Sequence, residues 1–216
     1  MDIIRIHGLE LDCIVGTWPH EREREQRVRL DLRFHADLSP AGRAGRISLT
    51  TDYDRAAHEI VALLRFRHYQ LIEMAAEEVS AMLLGIHSGL MRVDVRIEKP
   101  GALEGRARAA SVEVRRTREN FPRQAQTAPY GLCEVILDTR EARLEILTIE
   151  PGQRTADVPA FAAQALAWLA EGQLSAFEAG VNEFIQISSA APLPLHNPGP
   201  DRARLFRCWK RTPKSH

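Results

Sequence analysis

The sequence carries no excess of either charge and no long apolar run. Lys plus Arg and Asp plus Glu number 29 each among 216 residues, so the formal net charge is zero. A neutral chain gives no global argument for nucleic acid or an anionic membrane as a partner. No apolar stretch approaches the ~20 residues that cross a bilayer, and the first residues, Met1 to Ile6, lack the plan of a signal peptide. We therefore expect a cytoplasmic protein that binds neither nucleic acid nor membrane.

Cysteine is also scarce. Cys13, Cys133 and Cys208 are odd in number and far apart, and no pair has the short CxxC spacing of a zinc or redox site. Reduced thiols are the ordinary state of such cysteines in a cytosolic protein. Hydrophobic residues make up 44% of the chain and charged residues 27%, which is typical of a globular protein with a buried core.

Hydrophobic periodicity organises residues 1–119. Alternating apolar and polar residues predict strands around residues 9–13, 27–34, 92–98 and 111–114, and apolar residues at helical spacing predict helices from Tyr53 and from about Leu71. In the second helix Glu77, Glu78 and Ser80 lie off the apolar stripe. The parity of the first strand changes near His7-Gly8, which indicates a β-bulge. The order ββααββ predicts an α+β domain, with an antiparallel sheet and both helices on one face.

The composition changes after residue 119. Residues 120–131 are polar, contain two prolines and show no periodicity, so we interpret them as a linker. Short β-like runs separated by turn signals fill residues 132–212 and predict a small all-β domain. The predicted division is therefore 1–119, a linker at 120–131, and 132–212.

Lys99 is the most suggestive candidate for chemistry. It follows Val93, Val95 and Ile97 in strand parity, which places it on the apolar side, and the turn signature Pro100-Gly101 comes next. A lysine held at an apolar strand end loses hydration, which suits it to exchange protons near neutrality. The alternative is that the strand ends at Glu98 and that Lys99 is a solvated turn residue, and parity alone favours this alternative.

Three further residues are ambiguous when each is taken alone. Glu73 lies in the first turn of a helix, where the helix dipole stabilises a carboxylate, but its two oxygens could also accept parallel N–H bonds from a guanidine-like edge. Glu21 lies in a highly charged segment that reads as a solvated turn. Tyr53 begins a helix after Asp52, a possible cap, and a single aromatic residue at a helix start usually packs.

Together these residues form a recognisable series. Their order and spacing over residues 2–118 resemble the dihydroneopterin aldolase family, and the Lys-Pro-Gly-Ala element is a strong marker. The matching positions are Gly16, Glu21, Gln26, Asp52-Tyr53, Leu71-Ile72-Glu73 and Glu98-Lys99-Pro100-Gly101-Ala102-Leu103.

The resemblance implies a tunnelling fold, in which subunits join their sheets edge to edge as a homo-tetramer or homo-octamer with pterin pockets between neighbours. Glu73 would hold the amino-pyrimidinone edge of the pterin, with the backbone of Leu71 or Ile72 helping. Lys99 would be the principal proton-transfer group, Glu21 would assist, and Tyr53 would come from the adjacent subunit. The implied reaction cleaves 7,8-dihydroneopterin into 6-hydroxymethyl-7,8-dihydropterin and glycolaldehyde, with no metal and no cofactor.

Two other functions compete with aldolase. The related dihydroneopterin triphosphate epimerase shares the fold and much of the site. A non-catalytic pterin-binding regulator would need Glu73 but not the proton-transfer residues Lys99 and Glu21.

The second half resembles a cupin that has lost its metal. Gly152 and Gly172 fit the glycine frame of the first cupin motif, and His196-Asn197 is the best remnant of the second. Imidazole and carboxylate groups bind iron, manganese or zinc, whereas apolar side chains cannot. The residues at the three ligand positions are Val158, Ala160 and Ala165. The resemblance therefore implies a degenerate, metal-free cupin-like domain.

Overall fold

A computed structural model describes residues 1–103, 105–155, 162–175, 184–188 and 194–211. It divides into two compact units, Met1–Asn120 and Phe121–His216. Within the described ranges, no helix has both the length and the apolar composition needed to cross a membrane.

The first unit is built on one antiparallel sheet of four strands in the order β1-β2-β3-β4. Its helices α3 and α4 connect the second and third strands, which confirms the predicted α+β class and the ββααββ order. The short helices α1 and α2 were not predicted. The elements are β1 (Asp2–Cys13), α1 (Pro19–Glu23), β2 (Gln26–Ala36), α2 (Ser39–Ala44), α3 (Tyr53–Arg67), α4 (Ile72–Ile86), β3 (Arg92–Pro100) and β4 (Ala109–Thr117).

Strand register brings the apolar residues of the sheet to one face. In β2 the side chains of Val28, Leu30, Leu32 and Phe34 are buried, as their alternation predicts. The register of β1 against β2 shifts between Ile6 and Leu9, and Gly8 there has φ 62°. This confirms the predicted bulge, which keeps the apolar residues on both sides of it facing the core. Helix α4 packs on β3 and β4, and α3 packs on β1.

Helix α4 buries more of its circumference than its apolar stripe predicts. Glu78 and Ser80, which were expected to lie off the buried stripe, are both buried. Arg67 donates two hydrogen bonds to the Glu78 carboxylate and the Tyr69 hydroxyl donates a third, while the Ser80 hydroxyl bonds to the backbone of its own helix. Polar partners supplied by α3 and the turn after it therefore make this burial possible.

The second unit is all-β in its described residues, as predicted. Its main sheet has the strand order β10-β9-β12-β7-β6-β5, and β8 pairs with β11 apart from it. The strands are β5 (Gln124–Ala128), β6 (Gly131–Asp138), β7 (Ala142–Ile149), β8 (Arg154–Thr155), β9 (Ala162–Glu171), β10 (Phe184–Ser188), β11 (Leu195–His196) and β12 (Ala203–Arg211).

Strand β5 lies inside the segment 120–131 that was predicted to be a linker. It pairs with β6 along its whole length, from Gln124 opposite Val135 to Ala128 opposite Gly131. Its side chains are mostly exposed, so main-chain hydrogen bonding holds an edge strand that carries no apolar alternation. The linker interpretation is therefore wrong for these residues.

The structure describes only some of the positions that resemble a cupin motif. Ala165 lies on β9 with its side chain fully buried in the apolar core, whereas Val158 and Ala160 lie outside the described residues. Asn197 is buried, and its side-chain amide donates to the carbonyl oxygens of Ile149 and Asp201. Asn197 thus has a structural function, and the cupin resemblance itself stays a prediction.

Candidate active site

A pocket opens in the first unit where three segments meet. They are the chain from the end of β1 into α1, the turn that leads into α4, and the end of β3. The residues that line the pocket are Val15, Gly16, Thr17, Trp18, Glu21, Gln70, Leu71, Ile72, Glu73, Lys99, Ala102 and Ala110. Every predicted site residue except Tyr53 is among them.

Lys99 lies on the floor of this pocket. Strand β3 continues to Pro100, with Lys99 opposite Ala110 of β4, so the parity of Val93, Val95 and Ile97 extends to Lys99. Only 7% of Lys99 is exposed. Its Nζ donates to the Val15 carbonyl at 2.9 Å and to Glu21 Oε1 at 2.5 Å. The alternative interpretation of Lys99 as a solvated turn residue is therefore wrong.

Glu21 sits on α1 and points into the pocket rather than into a solvated loop. Besides the bond from Lys99, its Oε2 accepts the backbone N–H of Trp18 at 2.9 Å. Burial opposes ionisation of this carboxyl. The hydrogen bond from Lys99 and the backbone N–H groups of Trp18 and Thr17 outweigh burial and hold the pKa of Glu21 below its ordinary value. Lys99 and Glu21 thus form a hydrogen-bonded pair with one side open to the pocket.

The contacts of Gly16 and Gln26 explain why the family pattern includes these two residues. Gly16 has φ 146°, and a Cβ built there would lie 2.2 Å from Glu21 Oε2, so a side chain at this position would displace the carboxylate. Gln26 Nε2 donates to the Val15 carbonyl at 2.6 Å, the same oxygen that accepts the Lys99 bond. Both residues therefore shape the chain around the pair of Lys99 and Glu21.

Glu73 stands at the opposite rim. It lies in the first turn of α4, directly after Ile72, and its side chain is exposed. Among the described residues, none donates a hydrogen bond to its carboxylate. Leu71 and Ile72 line the pocket beside it. This rim offers a charged acceptor and adjacent backbone to the planar, N–H-bearing edge of a ligand.

Tyr53 lies outside the pocket of its own chain. It begins α3, whereas Tyr69, just beyond the other end of α3, accepts a hydrogen bond from the Gly16 N–H at the pocket. A helix that rises 1.5 Å per residue separates these ends by roughly 20 Å. Tyr53 is 59% exposed. Asp52 caps α3 by accepting hydrogen bonds from the backbone N–H groups of Asp54 and Arg55. The hydroxyl-bearing ring of Tyr53 lies at the surface.

Comparison with known proteins assigns the family. The family model for dihydroneopterin aldolase matches residues 4–115. The chain belongs to the dihydroneopterin aldolase family. It is 32% identical to the dihydroneopterin aldolase of Methylorubrum extorquens over 101 residues, which are 47% of this chain and 78% of that one. It is 30% identical to the Escherichia coli enzyme over 114 residues, which are 53% of this chain and 90% of that one.

A solved structure agrees with the fold. The crystal structure of the Escherichia coli dihydroneopterin aldolase in complex with neopterin covers 54% of this chain and 99% of its own, with 28% identity and a TM-score of 0.51. The matches confirm the predicted family and the α+β fold of the first unit. They also confirm the assignment of an aldolase-type lyase that was made from the series of motifs.

One residue that supports the pocket wall from behind its lining residues was missed by sequence reasoning. Arg22 follows Glu21 and was grouped with a charged, solvated segment, yet its guanidinium reaches the backbone of Gly16, His68 and Tyr69. The charged segment around Arg22 does not predict these contacts. Two of the three carbonyl groups that Arg22 contacts lie more than forty positions away in sequence.

Proposed function

We propose that this protein cleaves 7,8-dihydroneopterin into 6-hydroxymethyl-7,8-dihydropterin and glycolaldehyde in the pocket of its first unit. The observation that supports this best is the buried Lys99, hydrogen-bonded to Glu21 in a pocket whose rim carries Glu73, a carboxylate that accepts no hydrogen bond from any described residue. The relatives named above carry the same activity in their names.

The reaction needs proton transfer at three atoms, the 2′ oxygen, N5 and C1′. Removal of the proton from the 2′-hydroxyl lets the C1′–C2′ bond break, C2′ leaves as the aldehyde carbon of glycolaldehyde, and the bonding electrons enter the C6=N5 imine while N5 takes a proton. Protonation of C1′ and loss of the N5 proton then restore the C6=N5 imine and give the hydroxymethyl product. The pterin ring is its own electron sink, so no Schiff base to the lysine is required.

Lys99 and Glu21 can carry out these proton transfers. The short contact between Lys99 Nζ and Glu21 Oε1 keeps the pair oriented before the substrate arrives, and the side facing the pocket can give or take a proton directly or through water. In this scheme Lys99 is the principal proton-transfer group, and Glu21 assists through its hydrogen bond.

Glu73 would hold the pterin. Its two oxygens can accept two parallel N–H bonds from the amino-pyrimidinone edge, which fixes the ring in register with the pocket floor. The backbone of Leu71 or Ile72 would add a further contact. Burial of one planar edge at the rim leaves the hydroxylated side chain of the substrate directed towards Lys99.

Tyr53 would complete a pocket in a second copy of the chain. Its distance from its own pocket and its exposure support this, and we propose a homo-tetramer or homo-octamer with sites between subunits. Mixing Tyr53→Ala and Lys99→Ala subunits tests the arrangement. Each variant alone should be nearly inactive and the mixture should regain turnover, whereas a mixture as inactive as its components would contradict a shared site.

A product assay tests the function. Purified protein incubated with 7,8-dihydroneopterin should release glycolaldehyde and the hydroxymethyl pterin in equal amounts. With dihydroneopterin triphosphate in a parallel reaction, an epimer without glycolaldehyde would instead indicate the epimerase. Binding of neopterin without any turnover would indicate a pterin-binding regulator.

A further inference from the structure

Arg22 joins two segments of the pocket wall. It lies on α1 directly after Glu21, and its guanidinium donates to the carbonyl oxygens of Tyr69 at 2.7 Å, His68 at 3.0 Å and Gly16 at 3.4 Å. One NH group contacts Gly16 and Tyr69 while the other contacts His68. The planar fork of arginine matches such a divided set of acceptors, whereas a lysine would present a single point charge.

The carbonyl groups that accept these bonds belong to opposite sides of the pocket. Gly16 lies in the segment that carries Glu21, the side with the proton-transfer pair. His68 and Tyr69 form the connection from α3 to α4, immediately before the rim residues Gln70 to Glu73. The Gly16 N–H also donates to the Tyr69 carbonyl at 3.0 Å. Arg22 therefore contacts both walls at their junction.

The connection that Arg22 contacts is held in an uncommon conformation. His68 has φ 55°, in the left-handed region that non-glycine residues seldom adopt. Such a conformation is unfavourable for a residue with a side chain and persists only where its surroundings hold it. Here the Tyr69 hydroxyl bonds to the buried Glu78 on one side, and Arg22 bonds to the two carbonyl oxygens on the other.

We propose that Arg22 is a positioning residue that fixes the distance between the Lys99–Glu21 pair and the pterin-holding rim at Glu73. The inference rests on the proposed function, because it concerns how the two sides of that pocket act on one substrate. A displacement of about 1 Å between binding and reacting groups can cost about a hundredfold in rate. Arg22 itself touches no reacting atom in this scheme.

Three variants separate this function from a general effect of charge or stability. Arg22→Met removes all donors, Arg22→Lys keeps the charge without the fork, and Arg24→Met is the matched control. Arg24 is exposed, lies two residues further on, and has no hydrogen bond to the pocket wall among the described residues. We expect kcat/KM for 7,8-dihydroneopterin to fall about 10- to 100-fold in Arg22→Met, less in Arg22→Lys, and not in Arg24→Met.

If Arg22 had a purely structural function, its loss would leave the pH dependence of kcat/KM unchanged. Glu21 contacts Lys99 of β3 and lines the same pocket as Glu73 of α4, and the Trp18 and Thr17 N–H groups help to hold its pKa low. When Arg22 no longer fixes this segment, those bonds weaken and the pKa of Glu21 rises. The acid limb of kcat/KM should therefore move to higher pH in Arg22→Met, and neopterin should bind more weakly.

Several results would overturn the inference. These are a wild-type rate and pH profile in folded Arg22→Met, or an equal loss in Arg24→Met. If Arg22→Met does not fold, Arg22→Lys decides, and wild-type behaviour there would overturn the proposal. A wild-type protein without turnover would instead refute the proposed function, and the loss of neopterin affinity in the Arg22 variants would then test the positioning alone.

Discussion

Both units bury an ion pair, and the two pairs differ in what surrounds them. In the first unit, Lys99 and Glu21 meet on the floor of an open pocket. In the second unit, Glu145 lies on β7, which runs between strands β6 and β12, and it is 2% exposed. Its Oε1 accepts Arg207 Nε at 2.6 Å and Trp209 Nε1 at 2.7 Å, and Arg143 lies 3.3 Å from its other oxygen.

Under the proposed function, the difference separates a reactive pair from a structural one. Arg207 and Trp209 donate to one oxygen of Glu145, and Arg143 and the Cys133 thiol lie against the other, so the buried carboxylate is enclosed by its own partners. The pair of Lys99 and Glu21 keeps a side towards the pocket, where a substrate can exchange protons with it. Burial alone therefore does not identify a catalytic charge; burial beside an accessible cavity does.

Loss of Lys99 should have the largest effect. Lys99→Met keeps most of the length of the side chain and removes the proton donor, and we expect glycolaldehyde release to fall by about 10²- to 10⁴-fold. Neopterin affinity should change far less, because Glu73, which we propose holds the ring, is unchanged in this variant. A variant that keeps its turnover would show that another group transfers the proton.

Loss of Glu145 should destabilise without affecting turnover. Glu145→Gln leaves buried Arg207 without its counter-charge, which costs roughly 3–5 kcal/mol of unfolding free energy in comparable buried pairs. Glu171→Gln is the matched control in the same unit, since its pair with Arg204 is exposed on the glutamate side and such pairs contribute less than about 1 kcal/mol. Chemical denaturation measures both variants. Equal midpoints would contradict the structural function of Glu145.

Glu73 should affect binding more than the chemical step. Glu73→Gln exchanges a charged acceptor for a neutral amide that matches the pterin edge poorly, and hydrogen bonds to charged groups contribute about 1.5–3 kcal/mol. KM should therefore rise roughly 10- to 100-fold with a smaller change in kcat. Glu77→Gln, one turn further along α4 and paired with Arg116, should leave both constants unchanged; a similar rise in KM there would remove Glu73 from the site.

The smallest expected effect is a shift of one titration. Burial raises the pKa of Glu21, but Lys99 and the Trp18 N–H lower it below its ordinary value of 4.5. The stabilisation from this ionised carboxylate is therefore present above the unfolded pKa and is lost as pH falls through the lower folded pKa. In Lys99→Met burial prevails, so an NMR titration should show the Glu21 pKa raised; an unchanged pKa would mean that Lys99 does not control it.

Local pattern was sufficient for the main strands and helices of the first unit, and it made Lys99 a candidate although parity alone favoured a solvated turn. Strand alternation located the sheet, and the parity of β3 placed Lys99 on the buried face because a strand alternates its faces strictly. The bulge at Gly8 followed from a change in that same parity. These features depend on neighbours a few residues away, which a sequence displays directly.

The features that sequence reasoning missed depend on distant partners. Glu21 looked solvated because its partner, Lys99, lies 78 residues away. Glu78 looked exposed because Arg67 and Tyr69, which make its burial possible, belong to another segment. Strand β5 was missed because its pairing with β6 uses backbone groups that every residue carries. Charged residues in helices and loops are therefore where sequence and structure diverge most.

We expect the chemistry to belong to the first unit alone. The most direct test is the rate of glycolaldehyde release per chain by residues 1–120 and by the full chain, once circular dichroism and sedimentation show that the shorter protein is folded and assembled alike. We expect the two rates to agree within about twofold, since the pocket residues Glu21, Glu73 and Lys99 all lie in the first unit. A folded, assembled 1–120 protein that releases no glycolaldehyde would contradict the claim.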